Sequence, residues 1–281
     1  MNILEELAAL ARERVKADQQ KLSEPEMRAL AAAAGKGGGS RFTAALAKPG
    51  ISFICEIKRA SPSKGLIAPD FPYTEIAREY EAAGADCISC LTEPRYFLGS
   101  DEIFREVRRV SSLPMIRKDF TVSLYQLDQA RVMSADAVLL IVSLMDRKML
   151  EACLRRCGEL GIAALTETHD EAEIRMAVDA GARIIGINNR NLKDFSVDFS
   201  NTARLRDLIP ADRICVAESG VRGPEDVARL RAVGADAVLI GETLMRTADK
   251  AACLKALKEE ASHASKCAGC AVRRTLKPPT G

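Results

Sequence analysis

An acidic and a basic side chain stand close together at the end of one apolar segment, residues 52–58, which reads Ser-Phe-Ile-Cys-Glu-Ile-Lys. If this segment is a β-strand, the alternation of side chains puts Glu56 and Lys58 on the same face at its carboxyl end. Groups of this kind can exchange protons with a substrate. Taken alone, the pattern is better explained by an edge strand with a solvated Glu–Lys pair. Its recurrence along the chain favours a functional site instead.

Polar side chains end four later apolar segments in a similar way: Lys118, Glu167, Asn188 with Arg190 two positions on, and Glu218. Charges in phase with a core are costly to bury unless they are paired. If all these segment ends meet at one edge, three acids and two lysines pair there and shift one another's pKa values. A ring of structural ion pairs that closes the fold is the alternative explanation.

The elements that must position these groups are short apolar segments alternating with longer amphipathic ones. The strand-like segments are 52–58, 86–92, 114–118, 136–142, 162–167, 184–188, 213–218 and 236–241. The helix-like segments are 73–83, 101–111, 123–133, 146–160, 170–180, 200–208, 223–233 and a last one from 243. Such alternation predicts a parallel α/β sheet, and eight units in about 200–250 residues have the size of a (β/α)8 TIM barrel. A doubly wound open sheet is the alternative.

A weak internal repeat supports the count of eight units. Residues 83–86, 134–137, 180–183 and 233–236 resemble one another and precede every second strand-like segment, about fifty residues apart. Glycine between a helix and the next strand is typical of this connection. In such barrels the active site lies at the carboxyl ends of the strands, where the charged residues of this sequence fall.

Glycines follow the last two strand-like segments, in Ser219-Gly220 and Gly241-Glu242. Backbone N–H groups at these two places, with the start of the following helix, bind phosphate in many (β/α)8 barrels. Two ordinary turns are the alternative. Glu242 puts an acid where a phosphate is expected, although its backbone N–H can still donate, and an acid is favoured early in a helix.

The remainder of the chain divides into an N-terminal extension, residues 1–50, and a tail, residues 263–281, around a barrel of residues 51–262. Residues 2–34 read as two amphipathic helices broken near Ser23, whose spacing to Glu26 predicts a capping box. We expect residues 35–40 to form a flexible joint rather than a phosphate loop, and residues 41–47 a short helix. The N-terminal helices are expected to cap the barrel, and the loop of residues 59–72 is a candidate lid.

The tail is expected to be disordered because its composition changes after about residue 262. Cys267 and Cys270 form half a zinc site at most, since no second Cys/His pair has matching spacing, so we predict no metal site.

Composition excludes several classes of function. A net charge of +2 and 4% aromatic residues with no Trp argue against nucleic acid as a partner. No apolar run is long enough to span a bilayer and no N-terminal signal is recognised, so no membrane partner is predicted. The nine cysteines lie mostly inside apolar segments, which indicates buried thiols in a reducing cytoplasm.

Together these segments resemble the indole-3-glycerol-phosphate synthase family. The matching segments are 55–63 (CEIKRASPS), 96–100 (YFLGS), 117–120 (RKDF), 165–169 (LTETH), 185–192 (IGINNRNL) and 216–220 (VAESG). They occur in the family's order and at fitting separations, and the resemblance extends from the N-terminal helices to about residue 262.

The resemblance implies a cofactor-free lyase of tryptophan biosynthesis. Its substrate would be 1-(2-carboxyphenylamino)-1-deoxyribulose 5-phosphate, converted to indole-3-glycerol phosphate, carbon dioxide and water. By similarity Lys118 is the general acid that protonates the ketone, and Glu167 is the acid/base of the dehydration, with Lys58 a contender for one proton transfer. Glu56 and Glu218 would orient the lysines and stabilise cationic intermediates.

The resemblance also implies how the substrate is held. Asn188 would bind a hydroxyl or oxyanion of the substrate. Arg190, Phe97 and Phe120 would hold the anthranilate end. The residues that would surround the phosphate are Ser61, Ser219, Gly220, Gly241 and Glu242.

Two other functions remain open at this stage. Another phosphosugar barrel lyase or aldolase could use Lys58 or Lys118 as an imine-forming nucleophile. A non-catalytic phosphate-ligand binder could share the fold, because fold alone does not fix function. We expect a monomer, although the sequence does not exclude an oligomer.

Overall fold

The structure, a computed structural model, describes residues 3–191 and 195–267, with side chains as far as position 259. Eight of the ten strands in these residues form a closed parallel ring, and the other two form a small antiparallel hairpin. The ring strands are β1 (Ser52–Ile57), β4 (Cys87–Leu91), β5 (Met115–Lys118), β6 (Ala137–Ile141), β7 (Ala163–Thr168), β8 (Ile184–Asn188), β9 (Ile214–Glu218) and β10 (Ala237–Ile240), and the hairpin strands are β2 (Ala60–Ser61) and β3 (Gly65–Leu66).

The helices lie between the ring strands, before the first and after the last. Their bounds are α1 (Ile3–Lys21), α2 (Glu24–Ala33), α3 (Gly39–Leu46), α4 (Tyr73–Ala82), α5 (Asp101–Val110), α6 (Leu124–Val132), α7 (Arg147–Leu160), α8 (Glu171–Asp179), α9 (Ser200–Leu205), α10 (Pro224–Ala232), α11 (Glu242–Arg246) and α12 (Lys250–Cys267). The sequence predicted one helix from residue 243 and a plain loop over 59–72. The structure divides the former into α11 and α12 and forms the β2–β3 hairpin within the latter.

Closure of the ring confirms the (β/α)8 barrel and rules out the doubly wound sheet. The strands follow the order β1-β10-β9-β8-β7-β6-β5-β4, and the last pairs with the first. Ser52 lies opposite Ala237 and Cys55 opposite Ile240 in the closing pair, so no ring strand has a free edge.

The internal repeat has a structural cause at the amino ends of the strands. Gly84, Gly181 and Gly234 adopt φ values of 82°, 87° and 84°, the left-handed conformation that ends a helix before the next strand. Each aspartate of the repeat accepts a hydrogen bond from a backbone N–H group of the ring strand that precedes it in the chain. These bonds are Phe53 N to Asp86 (2.9 Å), Met115 N to Asp136 (2.8 Å) and Cys215 N to Asp236 (2.8 Å).

Two layers of apolar side chains form the core. One layer fills the barrel interior with alternate residues of the strands, such as Ile54, Leu165 and Leu239. The other lies between the strands and the surrounding helices and includes Phe53 and Cys55, the opposite face of β1. Glu56 is buried and lines the central cavity, on the interior side of β1. The side-chain phase predicted for residues 52–58 is therefore confirmed.

The N-terminal helices reach both ends of the barrel. α1 contributes Ile3, Leu4 and Leu7 to the cavity at the carboxyl ends of the strands. α3 lies at the opposite end, where Ser52 Oγ, at the start of β1, donates to the carbonyl of Ala45. At the break between α1 and α2, Glu26 accepts from the backbone N–H of Ser23 at 2.8 Å, as the predicted capping box requires.

The prediction of a flexible joint at residues 35–40 is wrong. Gly37 N donates to the carbonyl of Leu160 at 2.8 Å, and Gly39 N donates to that of Gly161 at 2.9 Å. A Cβ atom on Gly39 would come within 2.5 Å of the backbone nitrogen of Ala163. The glycines therefore permit close packing of this segment against the start of β7.

The predicted tail lies largely outside the described residues. The backbone of α12 continues to Cys267, and residues 268–281, including Cys270, are not described. Among the described residues, no helix has both the length and the apolar character needed to cross a membrane. Cys55, Cys87, Cys90 and Cys215 are buried, as predicted.

Candidate active site

All fourteen side chains or glycines predicted for the site line one cavity of about 590 Å³ at the carboxyl ends of the strands. They are Glu56, Lys58, Ser61, Phe97, Lys118, Phe120, Glu167, Asn188, Arg190, Glu218, Ser219, Gly220, Gly241 and Glu242. The structure thus brings the residues together, while their individual chemical roles stay predictions.

Glu56 and Lys58 form a close ion pair on the inner face of β1. The Nζ atom of Lys58 lies 2.6 Å from Oε1 of Glu56, and Ser89 Oγ donates to Oε2 at 3.4 Å. Burial by itself would raise the pKa of Glu56, but Lys58 and then Lys118 outweigh it and hold that pKa below its usual value. A side chain at Gly241 would collide with this carboxylate, so the glycine after β10 makes room for the pair.

Lys118, at the end of β5, lies between two carboxyl groups from across the ring. Its Nζ atom is 3.5 Å from Oε2 of Glu218 and 3.7 Å from Oε2 of Glu167. Burial would lower the pKa of Lys118, but the nearby acids, Glu218 first, raise it above its usual value. The side chain therefore carries a proton at neutral pH, held next to the cavity.

The two acids beside Lys118 differ in their surroundings. Glu167 accepts a hydrogen bond from Nδ2 of Asn188 at 3.1 Å and lies 3.4 Å from Nε2 of His169. Despite burial, Lys118 and then His169 lower the pKa of Glu167 to about 2. Within the described chain, neither oxygen of Glu218 has a hydrogen-bond partner. Burial and then the negative charge of Glu167 raise the pKa of Glu218 to about 8. Glu167 is therefore ionised at neutral pH, whereas Glu218 keeps its proton to a higher pH than an ordinary carboxyl group.

Gly186 creates the space that Glu218 occupies. Any Cβ at this position of β8 would overlap Oε1 of Glu218. The sequence analysis did not single out this glycine, although a glycine inside a strand often marks a close approach by another group.

One side of the mouth is apolar. The rings of Phe97 and Phe120 have centroids 6.0 Å apart. Leu139 and Ile141 of β6 line the same cavity together with Leu4 of α1. The sequence analysis missed the two β6 residues, which their period-2 spacing in an otherwise apolar strand could have revealed.

A buried carboxylate fixes the loop that carries Phe97. Glu93 is 1% exposed and accepts hydrogen bonds from the backbone N–H groups of Arg95 (2.9 Å), Tyr96 (2.7 Å) and Phe97 (3.0 Å). The carbonyl of Phe97 in turn accepts from Ala60 N of the hairpin. Glu93 was not predicted, because it acts through its local backbone rather than through the cavity.

α1 is attached to the site through Asp119, the neighbour of Lys118. Arg14 makes two hydrogen bonds to the buried carboxylate of Asp119, at 2.7 and 3.1 Å. Farther along, the hydroxyl of Tyr96 donates to Glu6 at 2.5 Å. The helix is therefore held against both loops that carry the phenylalanine rings.

The other side of the mouth is polar and rich in cations. Ser219 and Gly220 have φ values of 67° and 90°, so the backbone turns sharply after β9. Glu242 lies 3.5 Å from Lys64 of the hairpin and 3.2 Å from Nε of Arg246. A carboxylate thus stands among cations at the position predicted for a phosphate.

Arg190 belongs to this polar side. Its guanidinium lies 3.8 Å from Glu242 and donates to the carbonyl of Phe195 at 3.1 Å. Strand β8, which precedes Arg190, stands across the ring from β4, which precedes Phe97. The sequence analysis grouped Arg190 with Phe97 and Phe120 at one end, whereas its ion pair lies with the residues predicted for the other end.

A closed ring of eight parallel strands, with ionisable groups gathered at its carboxyl ends, defines the class of (β/α)8-barrel enzymes. Solved structures agree on the fold. A thiamine phosphate pyrophosphorylase from Pyrococcus furiosus superimposes with a TM-score of 0.58 over 76% of this chain and 96% of its own, at 16% identity.

Sequence comparison gives the family. The family model for indole-3-glycerol phosphate synthase matches residues 4–257. Among the relatives that carry that name, one from Ruminiclostridium cellulolyticum is 53% identical, with 75% of this chain and 81% of the relative covered. One from Lachnoclostridium phytofermentans is 44% identical, with 91% and 98% covered. The chain belongs to the indole-3-glycerol phosphate synthase family.

Proposed function

We propose that this protein catalyses ring closure, decarboxylation and dehydration of 1-(2-carboxyphenylamino)-1-deoxyribulose 5-phosphate to indole-3-glycerol phosphate, a step of tryptophan biosynthesis. The observation that carries the proposal is the protonated Lys118, 3.5 Å from Glu218 and 3.7 Å from Glu167, inside a cavity with one apolar and one cationic side. Family membership supports the same reaction.

The two sides of the cavity suit the two ends of this substrate. An aromatic ring packs favourably beside Phe97 and Phe120. A phosphate dianion fits the polar side, where Lys64 and Arg246 stand near the turns after β9 and β10. Arg190 lies within reach of this side, and we propose that it binds the anionic part of the substrate nearest to Glu242.

The chemistry requires proton transfers that the central groups can make. Lys118 acts as the general acid that protonates the ketone oxygen as the aromatic carbon attacks the carbonyl. Glu167, kept ionised, removes the proton from carbon during dehydration. Lys58 is placed to serve in one of these transfers, and Glu56 holds it through the 2.6 Å ion pair. Glu218 stabilises cationic intermediates, and Asn188 binds a substrate hydroxyl or oxyanion while it orients Glu167.

A direct assay tests the proposal. The purified protein, given the carboxyphenylamino substrate without any added cofactor, should produce indole absorbance and fluorescence. Lys118→Ala should lower kcat by about 10²- to 10⁴-fold, the usual contribution of a general acid. Lys148→Ala, on the exposed face of α7, is the matched control and should behave as the wild type. A wild-type protein that makes no indole product would contradict the proposal.

A lysine imine mechanism has weaker support than acid catalysis. A nucleophilic amine must be unprotonated, whereas the surrounding acids raise the pKa of Lys118 and keep it charged. Borohydride added during turnover distinguishes the two: covalent trapping of substrate on Lys118 or Lys58 would favour the imine. A protein that binds the substrate and leaves it unchanged would instead be a phosphate-ligand binder.

We further propose that the enzyme acts as a cytoplasmic monomer without metal or organic cofactor. The division into an N-terminal extension of residues 1–50, a barrel of 51–262 and a tail of 263–281 remains part of this proposal. Size-exclusion chromatography with light scattering measures the oligomeric state, and activity after exhaustive chelation measures any need for a metal.

A further inference from the structure

A histidine that the proposed reaction does not yet use stands directly behind Glu167. His169 follows it by two positions, one residue beyond the end of β7, and its ring lies beside the carboxylate of Glu167. Its Nε2 atom is buried and lies 3.4 Å from Oε1 of Glu167. Its Nδ1 atom lies 3.0 Å from Oε2 of Glu173, on the first turn of α8. The imidazole ring therefore bridges a buried carboxylate of the cavity and a second carboxylate outside it.

A second cavity, of about 520 Å³, opens on the far side of this ring. It is lined by His169, Glu173 and Ser143 among other polar residues, and it shares Leu4, Asn188 and Arg190 with the first cavity. Glu167 lines only the first cavity and His169 only the second. A substrate that fills the first cavity would therefore leave water access to His169 open.

The positions of the ring nitrogens couple the proton on His169 to that on Glu167. With Nδ1–H donated to Glu173, an unprotonated Nε2 would face Oε1 of Glu167, lone pair against lone pair. That arrangement is acceptable only when Glu167 carries a proton. When Glu167 is ionised, His169 must be an imidazolium. In agreement, hydrogen bonds to Glu167 and Glu173 overcome burial and raise the pKa of His169 to about 10.

The proposed reaction consumes one proton in each turnover. The substrate carboxylate leaves as carbon dioxide without a proton. One proton goes to the ketone oxygen, a second goes to the departing hydroxyl, and only one is recovered from carbon. The balance is substrate plus one proton to indole-3-glycerol phosphate, carbon dioxide and water. Glu167 is buried and Lys118 nearly so, and a substrate in the first cavity would cover both, so that proton needs a supply route.

We propose that His169 is a proton-supply residue that delivers the consumed proton from the second cavity to Glu167. This inference rests on the proposed function. The Nε2–H bond breaks, an O–H bond forms at Oε1 of Glu167, and the neutral ring keeps Nδ1–H donated to Glu173. Glu167 then gives this proton to the departing hydroxyl, which leaves as water. The restored carboxylate takes the proton from carbon and returns it to Lys118, 3.7 Å away, which had protonated the ketone oxygen. A rotation of the ring about its Cβ–Cγ bond then turns the bare nitrogen to the water of the second cavity, where it takes up the next proton.

Charged groups from every neighbouring element set the field at this ring. They are Glu167 of β7, Asp170 and Glu173 at the start of α8, Arg190 after β8, Asp198 and Arg204 around α9, and Glu5 of α1. Acids outnumber bases in this set, which favours a ring that holds a proton.

The test is chemical rescue of His169→Ala, measured as single-turnover formation of indole product. We expect a fall of about 10- to 100-fold, with substrate affinity within about twofold of wild type. Imidazole in the buffer should restore the rate with saturation. Pyrazole, which has the same shape and is far less basic, should not. Ser143→Ala, which lines the same cavity with an exposed side chain, should keep the wild-type rate and show no response to imidazole.

His169→Gln is a second variant in case the alanine variant folds poorly, with circular dichroism as the check. Its amide can still reach Glu167 but cannot carry a proton through the ring, so its rate should fall to a similar extent. Rescue by pyrazole as well as by imidazole would mean that His169 only fills space and would overturn the proposal. Equal rates in wild type and His169→Ala would overturn it too. A wild-type enzyme with no turnover would overturn the proposed function and this inference with it.

Discussion

The Nζ atom of Lys118 lies 3.5 Å from Oε2 of Glu218, a buried carboxyl group that has no hydrogen-bond partner within the described residues. The contact is longer than a normal hydrogen bond, so Lys118 compensates the acid mainly through its charge. Such an arrangement costs folding energy and keeps the acid ready to respond to a change in charge nearby. Removing the acid should therefore affect stability and activity in opposite directions.

We predict that Glu218→Gln stabilises the protein increasingly as pH rises. Burial and Glu167 raise the pKa of Glu218 to about 8, against 4.5 for an unperturbed glutamate. Between these two pH values the folded state holds a proton that the unfolded chain releases. Wild-type stability from this group is therefore complete below pH 4.5 and lost by about pH 8, whereas glutamine does not titrate.

The measurement is denaturant unfolding of wild type and Glu218→Gln at pH 5, 6.5 and 8. The variant's advantage should grow by roughly 3 kcal/mol between pH 5 and pH 8. Its kcat should fall. Glu102→Gln, on the exposed face of α5, is the control and should show no such trend. An advantage that stays constant across the three pH values would show that Glu218 does not titrate in this window.

Glu93→Gln should weaken substrate binding although residue 93 does not contact the substrate. The glutamate accepts three backbone hydrogen bonds in the loop that carries Phe97, and an amide can offer only one oxygen to them. Loss of the remaining bonds leaves partly buried donors unsatisfied and costs about 1 kcal/mol. We expect KM to rise about tenfold, with a smaller change in kcat, in steady-state assays. An unchanged KM would mean that the position of Phe97 does not depend on Glu93.

Glu242→Gln should strengthen the binding of phosphate. The carboxylate of Glu242 forms ion pairs with Lys64, Arg190 and Arg246, which a phosphate would otherwise bind. Its negative charge would also repel a phosphate dianion nearby. Competitive inhibition by inorganic phosphate should therefore become several-fold stronger at low ionic strength, and salt should reduce the difference.

Glu225→Gln, on the exposed surface of α10, is the matched control for this charge change. Weaker inhibition in Glu242→Gln would mean that the acid holds the cations in place for the phosphate rather than competing with it.

Gly39→Ala should destabilise the fold from the end of the barrel opposite the active site. Its Cβ would lie 2.5 Å from Ala163 N and 2.6 Å from the carbonyl carbon of Ile162, both of which are backbone atoms. We expect a loss of about 1–3 kcal/mol in the free energy of unfolding. Gly158→Ala, within α7 and with no atom near the added methyl group, is the control and should gain about 0.5–1 kcal/mol. Equal stability of Gly39→Ala and the wild type would contradict the close packing.

The barrel itself was predictable from the sequence because each strand buries a short apolar run between turns. Predicted and observed bounds of the eight ring strands agree to within one residue at each end. Placement of the site followed from the fold, since charged residues at the ends of parallel strands must meet. The glycines before α3 were misread as flexible because the sequence does not show what packs against them.

Parts of the site were beyond sequence reasoning because they depend on contacts between distant elements. The surroundings of the two acids differ because Asn188 and His169 lie beside Glu167, whereas Gly186 makes room for Glu218. The side of the mouth that Arg190 joins depends on how its guanidinium turns toward Glu242. The hydrogen bonds of Glu93 lie in a loop where the sequence does not show which backbone N–H groups the carboxylate reaches.

Because β1 pairs with β10, the barrel can close only after the last ring strand has been synthesised. The first strand of the ring to leave the ribosome, Ser52–Ile57, has buried side chains on both faces, and it waits for the last, Ala237–Ile240, before its second edge is satisfied. Open edges of this kind recruit other chains. We therefore expect a chain that ends before residue 240 to aggregate rather than to fold into a partly active enzyme.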